Sequence, residues 1–273
     1  MLHLFKLKYN MQFGICKLSI VPVRILNSDK SEMVTQLIYG DIFLILEEKD
    51  NWTKIKSDFD NYVGWIDTKQ YQKINKTSIT NIKKHYYSSD LVEFVENEKN
   101  ELVTIIIGSV ISNSNILNHK FEGNYLSGKQ SRESIVKIAL LYLNTPYLWG
   151  GKTPFGIDCS GFTQMVYKIN GYKLLRDAKD QASQGETLSF IEESEPGDLA
   201  FFHNESDEIV HVGIILKDNY IIHASGKVRI DRLDQTGIYN NEEKAHTHYL
   251  RYIKKIIWIY LFSNSATITL YLL

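Results

Sequence analysis

The sequence is poor in cysteine. Its two, Cys16 and Cys159, lie far apart in a chain of 273 residues. That argues against a disulfide framework, and without a CxxC pair or a Cys/His cluster nothing suggests zinc. Reduced thiols are the simplest reading, and no metal or other cofactor is expected. An excess of charge of one sign is also lacking. The formal net charge is -1 at pH 7, so no overall field draws the chain to nucleic acid or to an anionic membrane. The N-terminal stretch "MLHLFKLKYNMQFGICKL" lacks both an apolar run long enough for a signal-peptide core and a small-residue cleavage site. A cytoplasmic protein is therefore expected, with a periplasmic or membrane-associated one as the alternative. Met11 is a candidate start, because patterned sequence begins there. Residues 256–273, "IIWIYLFSNSATITLYLL", are apolar but broken by Ser263, Asn264 and Ser265. They are borderline in length for a membrane span, and Lys254-Lys255 would suit its flank. A packed extension of the preceding domain is preferred over an anchor.

What is present is a globular composition, 44% hydrophobic and 23% charged, in a chain long enough for one large or two modest domains. Residues 11–75 read as short strands: "KLSIVPVRI", "DIFLILEEK", "NWTKIKS" and "NYVGWIDTKQY", with turns at Tyr39-Gly40-Asp41 and Lys49-Asp50-Asn51. This spacing predicts a small barrel in which Pro22 needs an edge or a bulge. Residues 76–128 are read as a second small β module, with "ELVTIIIGSVI" as its clearest strand and "KFEGNYLSG" as another. From residue 129 the pattern changes. "SRESIVKIALLYLN" predicts a helix capped by Ser131 and ended at Asn144-Thr145-Pro146. Phe162, Met165, Val166 and Ile169 predict a second, amphipathic helix stopped at Gly171. "HVGIILKDNYIIHAS" reads as a β-hairpin. Helices followed by strands imply an α+β domain over residues 129–255.

Cys159 falls at the start of the amphipathic helix, where unpaired N–H groups and the helix dipole stabilise a thiolate and a developing oxyanion. Asp158 is a plausible cap. The alternative is a buried, inert cysteine. A cysteine nucleophile needs a base with its own orienting partner, and His211 and His223 flank the hairpin. A two-residue turn at Asp218-Asn219 would put them on opposite faces. A three-residue loop over 217–219 pairs Gly213 with His223 and puts both imidazoles on one face. The catalytic reading requires that odd register.

These motifs resemble those of a known family. "PYLWGGKTPFGIDCSGFTQMVY", "EPGDLAFF" and "HVGIILKDNYIIHASG" are similar to the nucleophile, strand and histidine motifs of the NlpC-type cell-wall cysteine peptidases, and "NWTKI" and "YVGWID" resemble a bacterial SH3-like domain. The resemblance implies a papain-like α+β catalytic domain preceded by small all-β SH3-like barrel modules. It implies Cys159 as nucleophile, His211 as general base and then acid, and His223 as the residue that orients His211. Tyr147 would add a hydroxyl near the oxyanion, and Trp149 would shape the cleft wall. Asp158 and Ser160 are candidate substrate contacts. Arg176-Asp177 matches a pair that, in members trimming peptidoglycan stem peptides, serves the D-Glu carboxylate region and the free amine of an N-terminal L-Ala. Ala178 departs from relatives that carry serine there. The implied partner is the stem peptide L-Ala-γ-D-Glu-diamino acid, cut after its second residue. Tyr62 or Trp65 could line the cleft wall, although aromatic residues of small barrels are usually core, and the sequence leaves both readings open. A wall-binding module with an inactive papain-like domain, or an acyltransferase or amidase on that fold, are the competing functions.

Overall fold

The computed structural model describes residues 11–80 and 84–257. The expectations about the chain start and about the tail beyond Ile257 lie outside the described residues. The first unit contains β1 (Gln12–Cys16), β2 (Ile20–Arg24), β3 (Met33–Ile38), β4 (Ile42–Lys49), β5 (Trp52–Ser57), β6 (Val63–Asp67) and β7 (Tyr71–Ile74). They form one sheet in the order β3-β2-β6-β5-β4-β1-β7. β2 pairs along its length with β3 but meets β6 only at Arg24, so Pro22 sits where the strand has no second neighbour. That is the edge position its missing N–H requires.

The next segment holds the short helix α1 (Lys76–Thr80) and the strands β8 (Tyr86–Ser88), β9 (Val92–Glu96), β10 (Leu102–Ile106) and β11 (Tyr125–Ser127). β9 pairs with β10 and β8 with β11. The strand expected through residue 111 stops at Ile106. Gly108 turns the chain at a φ of +82°, and a 3-10 helix runs over Ile111–Leu117. Val95, Ile105, Ile111 and Leu117 pack in one cluster with Ile15, Tyr39 and Ile42 of the first sheet. The segment therefore shares the barrel's apolar core instead of closing over one of its own.

The remainder comprises α2 (Arg132–Leu141), β12 (Lys152–Thr153), β13 (Gly156–Ile157), α3 (Cys159–Ile169), α4 (Ala178–Gln181), β14 (Glu186–Leu188), β15 (Leu199–His203), β16 (Ile209–Ile215), β17 (Tyr220–Ser225), β18 (Lys227–Leu233), β19 (Gly237–Asn240) and β20 (Ala245–Lys255). Ser131 caps α2 as expected, its Oγ accepting from Ser134 N. The helix ends at Leu141, ahead of Pro146, as its last turn tightens through Tyr142 N–H to Ala139 O. The sheet order is β14-β20-β15-β16-β17-β18-β19, and a further β19–β20 pairing closes it on itself. Its central strands β15, β16 and β17 are buried on both faces, which is why they read as nearly continuous apolar runs. Leu199, Phe201, Val212, Ile214 and Ile222 face the core beneath α2 and α3. Ala200, Phe202, Ile215, Ile221 and Leu233 form a second cluster on the opposite face. Fully burying each larger side chain stabilises the fold by roughly 1.5–3 kcal/mol.

Candidate active site

The start of α3 is built around Asp158. Its Oδ1 accepts from Gly161 N at 2.6 Å, capping the helix, and its Oδ2 accepts from Gly150 N at 2.8 Å. Arg176 grips the same carboxylate with both ends, Nη1 to Oδ1 at 3.0 Å and Nη2 to Oδ2 at 2.6 Å. Arg176 also donates to Ser160 Oγ at 2.9 Å and, through Nε, to Thr35 Oγ1 of the barrel at 2.8 Å. Gly161 has no room for a side chain, since a Cβ would lie 2.3 Å from Gly151 O. At the far end Gly171 adopts φ +79°. Tyr172 N–H donates to Tyr167 O and Gly171 N–H to Lys168 O, a Schellman ending. Capped and terminated in this way, α3 holds Cys159 as its first residue.

Cys159 is only 7% exposed. Burial pushes its thiol up to about 12, assisted by the Asp158 charge, while the backbone N–H groups of Val212 and Ser160 and the Arg176 cation pull it down. The expectation that the helix N-terminus alone makes this thiol acidic is thus corrected: desolvation is the larger effect. The Val212 contact brings the sulfur to β16, one residue from His211.

The hairpin takes the odd register. Gly213 pairs with His223, Ile214 with Ile222 and Ile215 with Ile221. Residues 217–219 form the loop, with Asp218 at φ 57° and Asn219 at φ 58°. His211 and His223 therefore share a face, and His211 Nε2 lies 2.8 Å from His223 Nδ1. A bulge at Val210 precedes His211, because Phe202 pairs with His211 while His203 pairs with Ile209. Such bulges re-aim side chains beside functional sites. Both rings are buried, which lowers their pKa values from 6.5. His248 of β20 stacks on His211 with centroids 4.1 Å apart. Beyond His223 lie Asp231 and Arg229, which the sequence reading did not single out. They stand on β18, reached only through cross-strand pairing, and no local motif marks them.

A cavity of about 430 Å³ opens over Cys159. Tyr147, Trp149, Asp158, Ser160, Arg176 and Asp177, all expected around the site, line it. The barrel contributes Glu32, Val34 and Tyr62, and β16 contributes Ile209 and Val210. Of the two barrel aromatics that the sequence left open, Tyr62 lines the cleft, whereas Trp65 is 9% exposed and buried. Burial raises the Tyr147 hydroxyl, as do the neighbouring Cys159 and Asp158, so it remains a donor. Trp149 Nε1 donates to Glu32 Oε1 at 2.6 Å, pinning the wall to the barrel. Arg176 is committed to Asp158, and a substrate carboxylate would have to compete with that pairing. Asp177 differs. It occupies the N-cap position of α4 without making the cap hydrogen bond. Its two oxygens instead accept from Tyr62 Oη, each at 3.3 Å. Burial raises its pKa above 3.8.

A helix N-terminal cysteine packed on a closed sheet that carries paired histidines defines a papain-like thiol hydrolase. Residues 144–247 match the NlpC/P60 family, and residues 26–70 match the bacterial dipeptidyl-peptidase SH3 domain. The chain thus carries an NlpC/P60 domain behind a bacterial SH3-like domain, and it is a cysteine peptidase. It is 28% identical over 265 residues to the γ-D-glutamyl-L-lysine dipeptidyl-peptidase of Bacillus subtilis, covering 87% of this chain and 84% of that protein. It is 27% identical over 251 residues to dipeptidyl-peptidase 6 of Lysinibacillus sphaericus, covering 80% and 90%. The crystal structure of an NlpC/P60 family protein from Bacillus cereus superposes with a TM-score of 0.74 over 89% of this chain and 99% of that one, at 17% identity. That likeness concerns the fold.

Proposed function

We propose that the chain hydrolyses the γ-D-glutamyl-L-diamino acid bond of peptidoglycan stem peptides that carry a free N-terminal L-Ala, releasing the dipeptide. The observation that carries this reading is the Asp177 carboxylate. It lines the Cys159 cavity and makes no salt bridge among the described residues, beside a wall supplied by Glu32, Val34 and Tyr62 of the barrel. A half-buried carboxylate that accepts from a phenol suits an ammonium group. The wall limits how far a peptide extends on the acyl side, which favours a short N-terminal piece over an internal cut. The name of the Bacillus subtilis relative supports the same substrate class, and that of the Lysinibacillus sphaericus relative supports release of a dipeptide.

In this reading the Cys159 S–H proton passes to His211 as the sulfur attacks the γ-carbonyl of D-Glu. The carbonyl oxygen becomes an oxyanion, which the backbone N–H of Cys159 and the Tyr147 hydroxyl receive. His211 then protonates the leaving amine of the diamino acid, giving a thioester. Water, deprotonated by His211, hydrolyses the thioester and frees L-Ala-γ-D-Glu and the thiol. The test is turnover of L-Ala-γ-D-Glu-L-diamino acid with and without N-acetylation, followed by mass spectrometry. The free-amine peptide is expected to yield the dipeptide and the acetylated one to be inert. Asp177→Ala should lower kcat/KM for the free amine by about 10–100-fold, the loss of one charge-assisted contact. Equal turnover of both peptides would remove the role given to Asp177.

A further inference from the structure

The hydrogen bonds beyond His223 run on into β18. His223 Nε2 lies 3.0 Å from Asp231 Oδ2. An ionised carboxylate only accepts, so His223 carries its proton on Nε2. Asp231 is kept ionised: burial raises its pKa, but hydrogen bonds from His223 and Arg229 outweigh burial and hold it below 3.8. Arg229 clamps both oxygens, Nε to Oδ2 at 2.6 Å and Nη2 to Oδ1 at 3.0 Å. Arg229 is itself held by Asn240 Oδ1 at 3.1 Å and Glu242 Oε2 at 3.2 Å.

A neutral imidazole has one N–H, and the bond made by one nitrogen sets the state of the other. With the His223 proton on Nε2, its Nδ1 is bare. The 2.8 Å contact to His211 Nε2 then requires the His211 proton on Nε2. The same rule leaves His211 Nδ1 bare. We propose that Asp231, braced by Arg229, is a positioning residue that sets the tautomers of both histidines, so that His211 presents an unprotonated Nδ1 as the base. When Nδ1 takes the Cys159 proton, His211 becomes an imidazolium, and Asp231 keeps its charge and takes no proton. The other titratable groups beside this chain are His248, whose ring lies against His211 at a 33° tilt, and Cys159, held at the backbone of Val212 next to it.

The consequence for rate rests on the peptidase reading, whereas the tautomers are a property of the resting protein. The full chain, labelled with 15N-histidine, is observed near pH 7.5 by long-range 15N–1H correlation. The wild type is expected to show His211 and His223 both as Nε2–H tautomers. In Asp231→Ala, Nδ1–H forms should appear, and kcat should fall about 10–100-fold, as when the outer partner of a working imidazole is lost. KM should stay within about twofold. Arg229→Gln should move both readouts in the same direction by less. A wild-type His211 protonated on Nδ1 overturns the proposal. So does an Asp231→Ala protein with unchanged tautomers and a kcat within about twofold of wild type. If Asp231→Ala does not fold by circular dichroism, the wild-type spectrum decides alone. A wild type that leaves stem peptides intact would sink the substrate reading, with the tautomer result standing apart.

Discussion

At Cys159 two opposing influences meet, and their sizes decide the outcome. A helix N-terminus is worth about 0.3–1 kcal/mol to a nearby negative charge, and up to about 2 in buried geometries. That corresponds to roughly one pKa unit. Desolvation moves buried groups by up to about 3–5 units. Burial therefore wins, and the thiol rises to about 12. The same desolvation pushes His211 well below 6.5, with the neighbouring His223 and His248 adding to the shift. Both directions favour a neutral thiol beside a neutral imidazole, and in the proposed mechanism the proton moves as the sulfur attacks. The pH dependence follows in sign. His211 accepts a proton only when neutral, and it becomes protonated only as pH falls through its lowered pKa. Asp177 must be ionised to hold an ammonium, and it is neutralised only as pH falls towards its pKa, which lies above 3.8. In Asp177→Ala, where His211 alone of the two is left to titrate, the profile of kcat/KM should thus be level through pH 6.5 and fall only below it. Stopped-rate assays on the free-amine peptide across pH 4–8 check this, and an acid limb centred at or above 6.5 would contradict it.

The β16–β17 hairpin shows what one element contributes. Its strands were readable from the sequence, and so was the condition that the loop be odd, because alternation along a strand is strict. The loop over Lys217–Asn219 satisfies that condition. Two of its residues take positive φ, with Asp218 at 57° and Asn219 at 58°, which Asp and Asn tolerate better than most residues. Deleting Asp218 should shorten the loop to an even length and turn His223 to the other face. Peptidase activity should then drop to background while circular dichroism stays near wild type. Retained activity in a folded deletion protein would show that the shared face is not required. The α3 ending was equally legible, because Gly171 is a local signal. The stop of β10 at Ile106 was not. Apolar residues continue past it, and the turn is imposed by packing against the barrel, where Val110 N donates to Tyr39 O at 2.9 Å.

Across the whole molecule, the barrel and the catalytic unit are joined by buried charge. Lys168 of α3 meets Asp41 of the barrel at 2.7 Å, with side chains 2% and 8% exposed. Arg176 reaches Thr35, and Gln164 Nε2 donates to Asp60 Oδ2 at 2.9 Å. Removing one partner of a buried pair strands the other, which costs about 3–5 kcal/mol. Asp41→Ala should destabilise the protein by about that amount in denaturant unfolding. The double replacement Asp41→Leu with Lys168→Met should recover much of the loss, since apolar substitutes for a buried pair are often close to neutral. A loss under about 1 kcal/mol in Asp41→Ala would show that the pair is solvated in solution.

The sequence by itself determined the two kinds of unit, the start and end of α3, the placing of Cys159 at a helix N-terminus and the condition, an odd loop, under which His211 and His223 share a face. All of these follow from short-range rules of capping, turn length and strand alternation. Tertiary structure alone decided how deeply the sulfur is buried, that Arg176 is taken up by Asp158, that Tyr62 rather than a catalytic-domain residue meets Asp177, and that Asp231 stands behind His223. Burial is set by everything packed around an atom, and the contact of Tyr62 with Asp177 spans 115 positions of the chain. No spacing along the sequence encodes such a contact until the barrel and the closed sheet have docked.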